Sequence, residues 1–310
     1  MNTTRKTSSR RTVLALGAGA ALAASLPAGG SAFAATASPG GSDAVAHRLA
    51  ALEREHSARL GVYAHDTATG RTVRYRAQER FPLCSVFKTL AVAAVLRDLD
   101  RDGEFLAKRV RYTAQEASAS GHAPITGRAE NLARGMTIAE LSDAAIRFSD
   151  NAAANLLLRE LGGPAAVTRF ARSTGDGVTR LDRWEPDLNT AEPRRVTDTT
   201  TPYAIGRTYE RLVLGTALDA ADRRRLTDWL LGNTTGGERL RAGLPGSWTV
   251  ADKTGAGAYG TNNDVAVAWP PGRPPLVIAV LTTKPRSDAT PDNPLIARTA
   301  ALLATALTAK

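Results

Sequence analysis

Strand-like segments near both ends of the chain, with a long helical stretch between, predict an α+β fold. The expected architecture is a five-stranded antiparallel sheet flanked by helices and built from both termini, with an all-α domain inserted into it. Apolar residues alternate over 60–65 and 71–76, and the character returns to strands over 248–253, 261–269 and 276–283. From Pro82 to about Leu231 they recur at helical spacing instead. This assigns 43–77 plus 232–310 to a sheet domain and 78–231 to a helical one, with the groove between them as the default place for a site.

In chain order, a Gly/Ser/Pro-rich lead-in over 35–42 precedes a helix over 43–59, marked by Val45, Leu49 and Leu52. The turn Asp66-Thr67-Ala68-Thr69-Gly70 joins the first two strands into a hairpin. Helices follow over 85–96, 137–148, 152–161, 164–173, 202–214 and 220–231, broken at glycines and prolines. Three strands then lead into a closing helix over 294–308, and the Pro/Gly-rich run 270–275 turns between the last two strands.

At 310 residues and 43% hydrophobic content the chain can bury a large core. The first 34 residues have a basic start, an apolar run over 13–26 too short to span a bilayer, and Ala32-Phe33-Ala34 as a small-x-small cleavage site. They read as an export signal, and Arg10-Arg11 followed by Thr12-Val13-Leu14 matches the twin-arginine type. The mature protein is therefore expected to be secreted, without stable membrane association. Removing Arg5, Lys6, Arg10 and Arg11 lowers the formal charge from +10 to +6, and what remains is scattered. With aromatics at 5% there is little to stack on bases, which argues against a nucleic-acid partner.

Cys84 stands alone and forms no intrachain disulfide. Histidines 47, 56, 65 and 122 show no metal-ligand spacing and read as surface residues, so neither a metal nor an organic cofactor is expected. Nothing calls for more than a monomer.

Four short patterns carry chemistry. Ser85 and Lys88 stand three apart where a helix begins, so an amine with a depressed pKa could lie beside a hydroxyl and activate it. Ser149-Asp150-Asn151 lies at a helix junction, where these residue types also serve as caps. Lys253-Thr254-Gly255 ends a predicted strand, and Ala256-Gly257 follow. Glu185 and Asn189, in Arg183-Trp184-Glu185-Pro186-Asp187-Leu188-Asn189, place a carboxylate and an amide four apart in a polar loop.

Taken together, SVFK, SDN, EPDLN and KTG in this order resemble the signature of the class A serine β-lactamases. The likeness extends through the flanks TRLDRWEPDLN and SDNAAANLL and covers nearly the whole chain after the signal. It implies that Ser85 attacks the lactam carbonyl, with Lys88, or Glu185 through a water, as its base. It makes Ser149 the proton relay to the lactam nitrogen, and Lys253 with Thr254 the holders of the substrate carboxylate. The N–H groups of Ser85 and Ala256 would form the oxyanion hole, and Asn151 would bind the substrate's amide side chain. Glu185 and Asn189 would hold the water that hydrolyses the acyl-enzyme, on an Ω-type loop over 183–198 closed by Arg183 and Asp198.

The departures bear on specificity. Asn262 stands where many members carry an arginine, and Arg239 is the expected substitute, as in a subgroup resembling the enzymes of soil actinobacteria. Val86 and His122 replace a threonine and an aromatic at the pocket. The bridging partner that Cys84 has in carbapenem-hydrolysing relatives falls at Gly257, which leaves no disulfide. The implied function is hydrolysis of penicillins, with cephalosporins as further substrates. A D-Ala-D-Ala peptidase or an acylated sensor shares some of this logic, but Glu185, Asn189 and a cleavable signal argue against both.

Overall fold

The computed structural model describes residues 39–308, with side chains from residue 43; the signal-like segment lies outside them. The described residues contain a five-stranded antiparallel sheet as expected. Its strands are β1 (Arg59–Asp66), β2 (Thr72–Tyr75), β3 (Thr249–Gly257), β4 (Thr261–Trp269) and β5 (Leu276–Thr283), in the order β2-β1-β5-β4-β3. The first and last thirds of the chain meet along β1 and β5, where eight residue pairs run from Arg59 opposite Thr283 to Asp66 opposite Leu276.

Apart from β2, where Thr72 and Arg74 are exposed, the sheet is buried on both faces, and pleating sorts its side chains into two cores. Leu60, Val62, Ile278 and Val280 join Leu49, Leu295 and Leu303 from the flanking helices α1 (Pro39–Glu55) and α8 (Asn293–Thr308). Val277, Ala279, Leu281, Val265 and Val267 face the intervening helices instead. Those helices include α2 (Phe87–Ala94), α3 (Ile138–Arg147), α4 (Asn151–Glu160), α5 (Ala165–Ser173), α6 (Pro202–Val213) and α7 (Ala220–Leu231).

Several boundaries depart from the sequence expectation. The first helix stops at Glu55, because Ser57 turns the chain at φ 47° and Arg59 already belongs to β1. The helix expected over 85–96 is composite: a 3-10 turn Cys84–Val86, then α2, then a wider turn Val95–Leu99. β3 continues through Lys253-Thr254-Gly255 to Gly257, because β4 supplies pairing partners as far as Thr261. Short helices Ala114–Ala119 and Ala129–Arg134 were not expected; the first begins at a capping box made by Thr113 and Glu116. His56 and His65 are half-buried rather than on the surface, each paired with a carboxylate, Asp292 at 3.0 Å and Glu210 at 3.2 Å. Among the described residues no helix is long and apolar enough to cross a membrane.

Candidate active site

Ser85 is held on its 3-10 turn just before α2, and the edge strand β3 closes over it. Gly255 is what permits that approach: a Cβ there would lie 3.2 Å from the Ser85 nitrogen and 3.2 Å from Cys84 Cβ. Gly257 does the same two residues further along the strand. An added Cβ would lie 2.9 Å from Cys84 Sγ and 2.7 Å from the Asn189 carbonyl, which also accepts the Ala258 N–H at 2.9 Å. Asn263 of β4 fastens the approach to Ser85 from below, its Nδ2 donating to the carbonyls of Pro82 at 2.9 Å and Leu83 at 3.2 Å.

Three of the expected residues converge on Lys88. Its buried Nζ donates to Asn151 Oδ1 at 2.6 Å and to the Ser149 carbonyl at 2.7 Å, and pairs with Glu185 Oε1 at 3.1 Å. Burial pulls the Lys88 amine below its ordinary range, and Glu185 opposes that pull. The Ser85 hydroxyl has a long contact with Glu185 Oε1, at 3.5 Å, the same oxygen that pairs with the Lys88 amine.

Lys253 reaches Ser149 from the other side, its Nζ 3.0 Å from Ser149 Oγ and 2.9 Å from the Thr254 carbonyl. Burial, and next the charge on Lys88, pull its pKa well below that of a free lysine. Ser149 adopts φ 56°, which turns its carbonyl to one lysine and its hydroxyl to the other. Asp150 supplies the cap: its Oδ1 accepts the Ala153 N–H at 2.8 Å, and its Oδ2 accepts the N–H groups of Ile125 and Thr126.

Glu185 is fixed from three directions. Asn189 Nδ2 donates to Glu185 Oε2, and Asn155 of α4 clamps the Glu185 backbone. At the neck of the loop Arg183 Nε donates to Asp198 Oδ2 at 2.6 Å, and Asp198 is only 1% exposed. This contact is a largely buried bridge, not the exposed kind that contributes under about 1 kcal/mol.

Arg239 lies beneath the sheet edge, its Nη1 donating to the carbonyls of Gly255 at 3.0 Å and Asn263 at 2.9 Å. Asn262, at the position the arginine vacates, is buried and donates to Asn293 Oδ1 at 3.1 Å. His122 is exposed, with its ring near the Phe148 carbonyl, and its backbone carbonyl accepts the Asn151 N–H at 2.8 Å. A groove of about 1020 Å³ lined by Arg54, Arg80, Arg194 and Val196 contains none of these residues, whereas Glu185 and Asn155 line a smaller one of about 290 Å³.

This arrangement brings a serine, two buried lysines and a positioned carboxylate together, a set of groups able to support acyl transfer followed by hydrolysis. The profile of the Beta-lactamase enzyme family matches residues 44–307. The chain belongs to this family. A β-lactamase of Streptomyces lavendulae is 68% identical over 307 residues, covering 99% of this chain and 100% of that one. A carbapenem-hydrolysing β-lactamase KPC of Klebsiella oxytoca is 50% identical over 259 residues, covering 83% of this chain and 87% of its own. The solved β-lactamase of Streptomyces albus G superposes with a TM-score of 0.85 at 65% identity, over 85% of this chain and 99% of that one. This β-lactamase is thus a class A serine hydrolase of cyclic amides, with the α+β fold of its relatives.

Sequence reasoning missed Asn155, Asn263 and Tyr209. Tyr209 is fully buried, its hydroxyl 2.7 Å from Thr89 Oγ1 and donating to the Val86 carbonyl at 3.2 Å. A signal existed only for Asn155, a polar residue four past Asn151 and set between Ala154 and Leu156.

Proposed function

We propose that this β-lactamase opens penicillins and cephalosporins through an acyl-enzyme on Ser85 Oγ. The observation that carries this reading is the meeting of Asn151, Ser149 and Glu185 on the single buried amine of Lys88. Ser85 Oγ and Lys88 Nζ both lie against Glu185 Oε1, at 3.5 and 3.1 Å, so the acylation base is Lys88, or Glu185 acting through a water. The oxygen of the tetrahedral intermediate is stabilised by the N–H groups of Ser85 and Ala256. Ser149, held between two lysines, passes a proton to the departing lactam nitrogen. Lys253 and Thr254 hold the substrate carboxylate with Arg239 adding positive charge from below, and Asn151 holds the amide side chain.

Deacylation belongs to Glu185 and Asn189. Asn189 Oδ1 is buried and has no partner among the described residues, so it can accept a hydrogen bond from the water that Glu185 deprotonates. The enzyme is further proposed to act as a secreted monomer exported by the twin-arginine route, with its site between the 43–77 plus 232–310 domain and the 78–231 domain. Intact-mass analysis of Glu185→Ala during exposure to a penicillin tests the mechanism. Accumulation of a stoichiometric adduct with turnover nearly lost is expected; unchanged turnover would remove Glu185 from the mechanism.

A further inference from the structure

Thr254 does not stand alone on the strand edge. Its Oγ1 lies 2.5 Å from Oγ1 of Thr235, a half-buried residue in the turn after α7. Which hydroxyl donates follows from the groups behind them. Asp252 accepts Arg241 Nε on Oδ1 at 2.6 Å and Asn233 Nδ2 on Oδ2 at 2.6 Å. With its nitrogen committed to Asp252, the Asn233 amide turns its oxygen to Thr235. That oxygen accepts the Thr235 N–H at 3.1 Å and the Thr235 hydroxyl at 2.8 Å. A flipped amide would set two N–H donors against each other.

With the Thr235 hydrogen on Asn233, the short contact must be Thr254 donating to Thr235. In that state Thr254 turns its hydrogen inward and has only lone pairs left for a further contact. The arrangement behind it is tightly built. A Cβ on Gly236 would lie 2.0 Å from Asp252 Oδ2, so only glycine lets the chain pass there.

We propose that Thr235 is a positioning residue for the substrate carboxylate, acting as a hydroxyl relay behind Thr254. On binding, Thr254 turns its hydrogen to the carboxylate, and Thr235 turns its own from Asn233 to Thr254. Two hydroxyl hydrogen bonds exist before and after, but the outer one now ends on a charged acceptor and is reinforced by the donor behind it. Asn233 keeps the Thr235 N–H, so the turn stays in place. This inference rests on the reading of Thr254 as a carboxylate contact.

Steady-state hydrolysis of a penicillin and of its methyl ester by wild type, Thr235→Val, Thr235→Ser and Thr254→Val tests both steps. Thr235→Val, which keeps the shape and removes the hydroxyl, is expected to raise KM for the acid roughly threefold to tenfold. Its kcat should move far less, the ester should be unaffected, and Thr235→Ser should restore the acid's KM. An equal change for acid and ester, or no rescue by serine, would overturn the relay and leave Thr235 as a packing residue. If Thr254→Val keeps the full preference for the acid, the carboxylate reading of Thr254 fails, and the relay fails with it.

Discussion

Asn155 holds Glu185 by both polar groups of its backbone: its Nδ2 donates to the Glu185 carbonyl at 2.8 Å, and its Oδ1 accepts the Glu185 N–H at 3.0 Å. A loop residue is thereby tied to the rigid helix α4, which is how a base on a loop can be held to the precision that catalysis needs. Asn155→Ala is expected to leave acylation measurable while slowing deacylation by up to about a hundredfold. It should cost about 1–3 kcal/mol of stability, because two backbone groups lose their partners. Rapid-quench mass spectrometry gives the first effect and denaturant unfolding the second.

The neck of the same loop depends more on Asp198 than on Arg183. The carboxylate accepts three hydrogen bonds, from Arg183 Nε and from the N–H groups of Asp182 and Arg183, at 2.6, 2.7 and 3.0 Å. Arg183 is 25% exposed, so its loss is partly made good by solvent. Asp198 also sits at φ 54°, a conformation that asparagine tolerates better than alanine. The order of stability is expected to be wild type, then Asp198→Asn, then Asp198→Ala, with the last costing about 2–4 kcal/mol. Urea midpoints of the three proteins check it.

Much of the candidate site was legible in the sequence because each of its patterns is local. Ser85 with Lys88, Ser149 with Asn151, and Glu185 with Asn189 are each set by one helix start or one loop. The sheet was legible too, since a strand buried on both faces, such as Leu276–Thr283, reads as a continuous apolar run. What stayed hidden depends on contacts between distant segments. The extension of β3 past Gly255 needs β4 as partner, the clamp on Glu185 comes from a residue thirty positions earlier, and the contact of Ser85 with Glu185 spans a hundred. No periodicity reports such contacts.

Lys253 should carry a stability cost that its function requires. It is fully buried, and it bonds to a hydroxyl and a carbonyl rather than to a carboxylate. Burial and the Lys88 charge hold its pKa well below the ordinary 10.5, so the folded state gives up this proton more readily than the unfolded chain. As pH rises from the depressed value towards 10.5, the unfolded chain binds more protons at this site, and stability rises with pH. Lys253→Met is expected to raise the thermal midpoint at neutral pH by roughly 2–4 °C per kcal/mol recovered. It should also flatten that alkaline gain and abolish most of kcat/KM. A midpoint lowered across the whole pH range would show that the lysine stabilises the fold.

Arg239 gives the last prediction, because its charge and its hydrogen bonds can be separated. The guanidinium spans two strands, binding the carbonyls of Gly255 on β3 and Asn263 on β4, and its Nε donates to Asn293 Oδ1 at 3.1 Å. A lysine keeps a positive charge but cannot present the same planar fork to both carbonyls. If Arg239 acts by its charge at the carboxylate subsite, Arg239→Lys should hold KM for a penicillin within about threefold of wild type, whereas Arg239→Gln should raise it by about tenfold. If the arginine acts by holding the strand edge, both substitutions should raise KM alike and lower the unfolding midpoint together. KM measured at low and high ionic strength adds a second discriminator. A charge effect shrinks as salt is added, and a bracing effect does not.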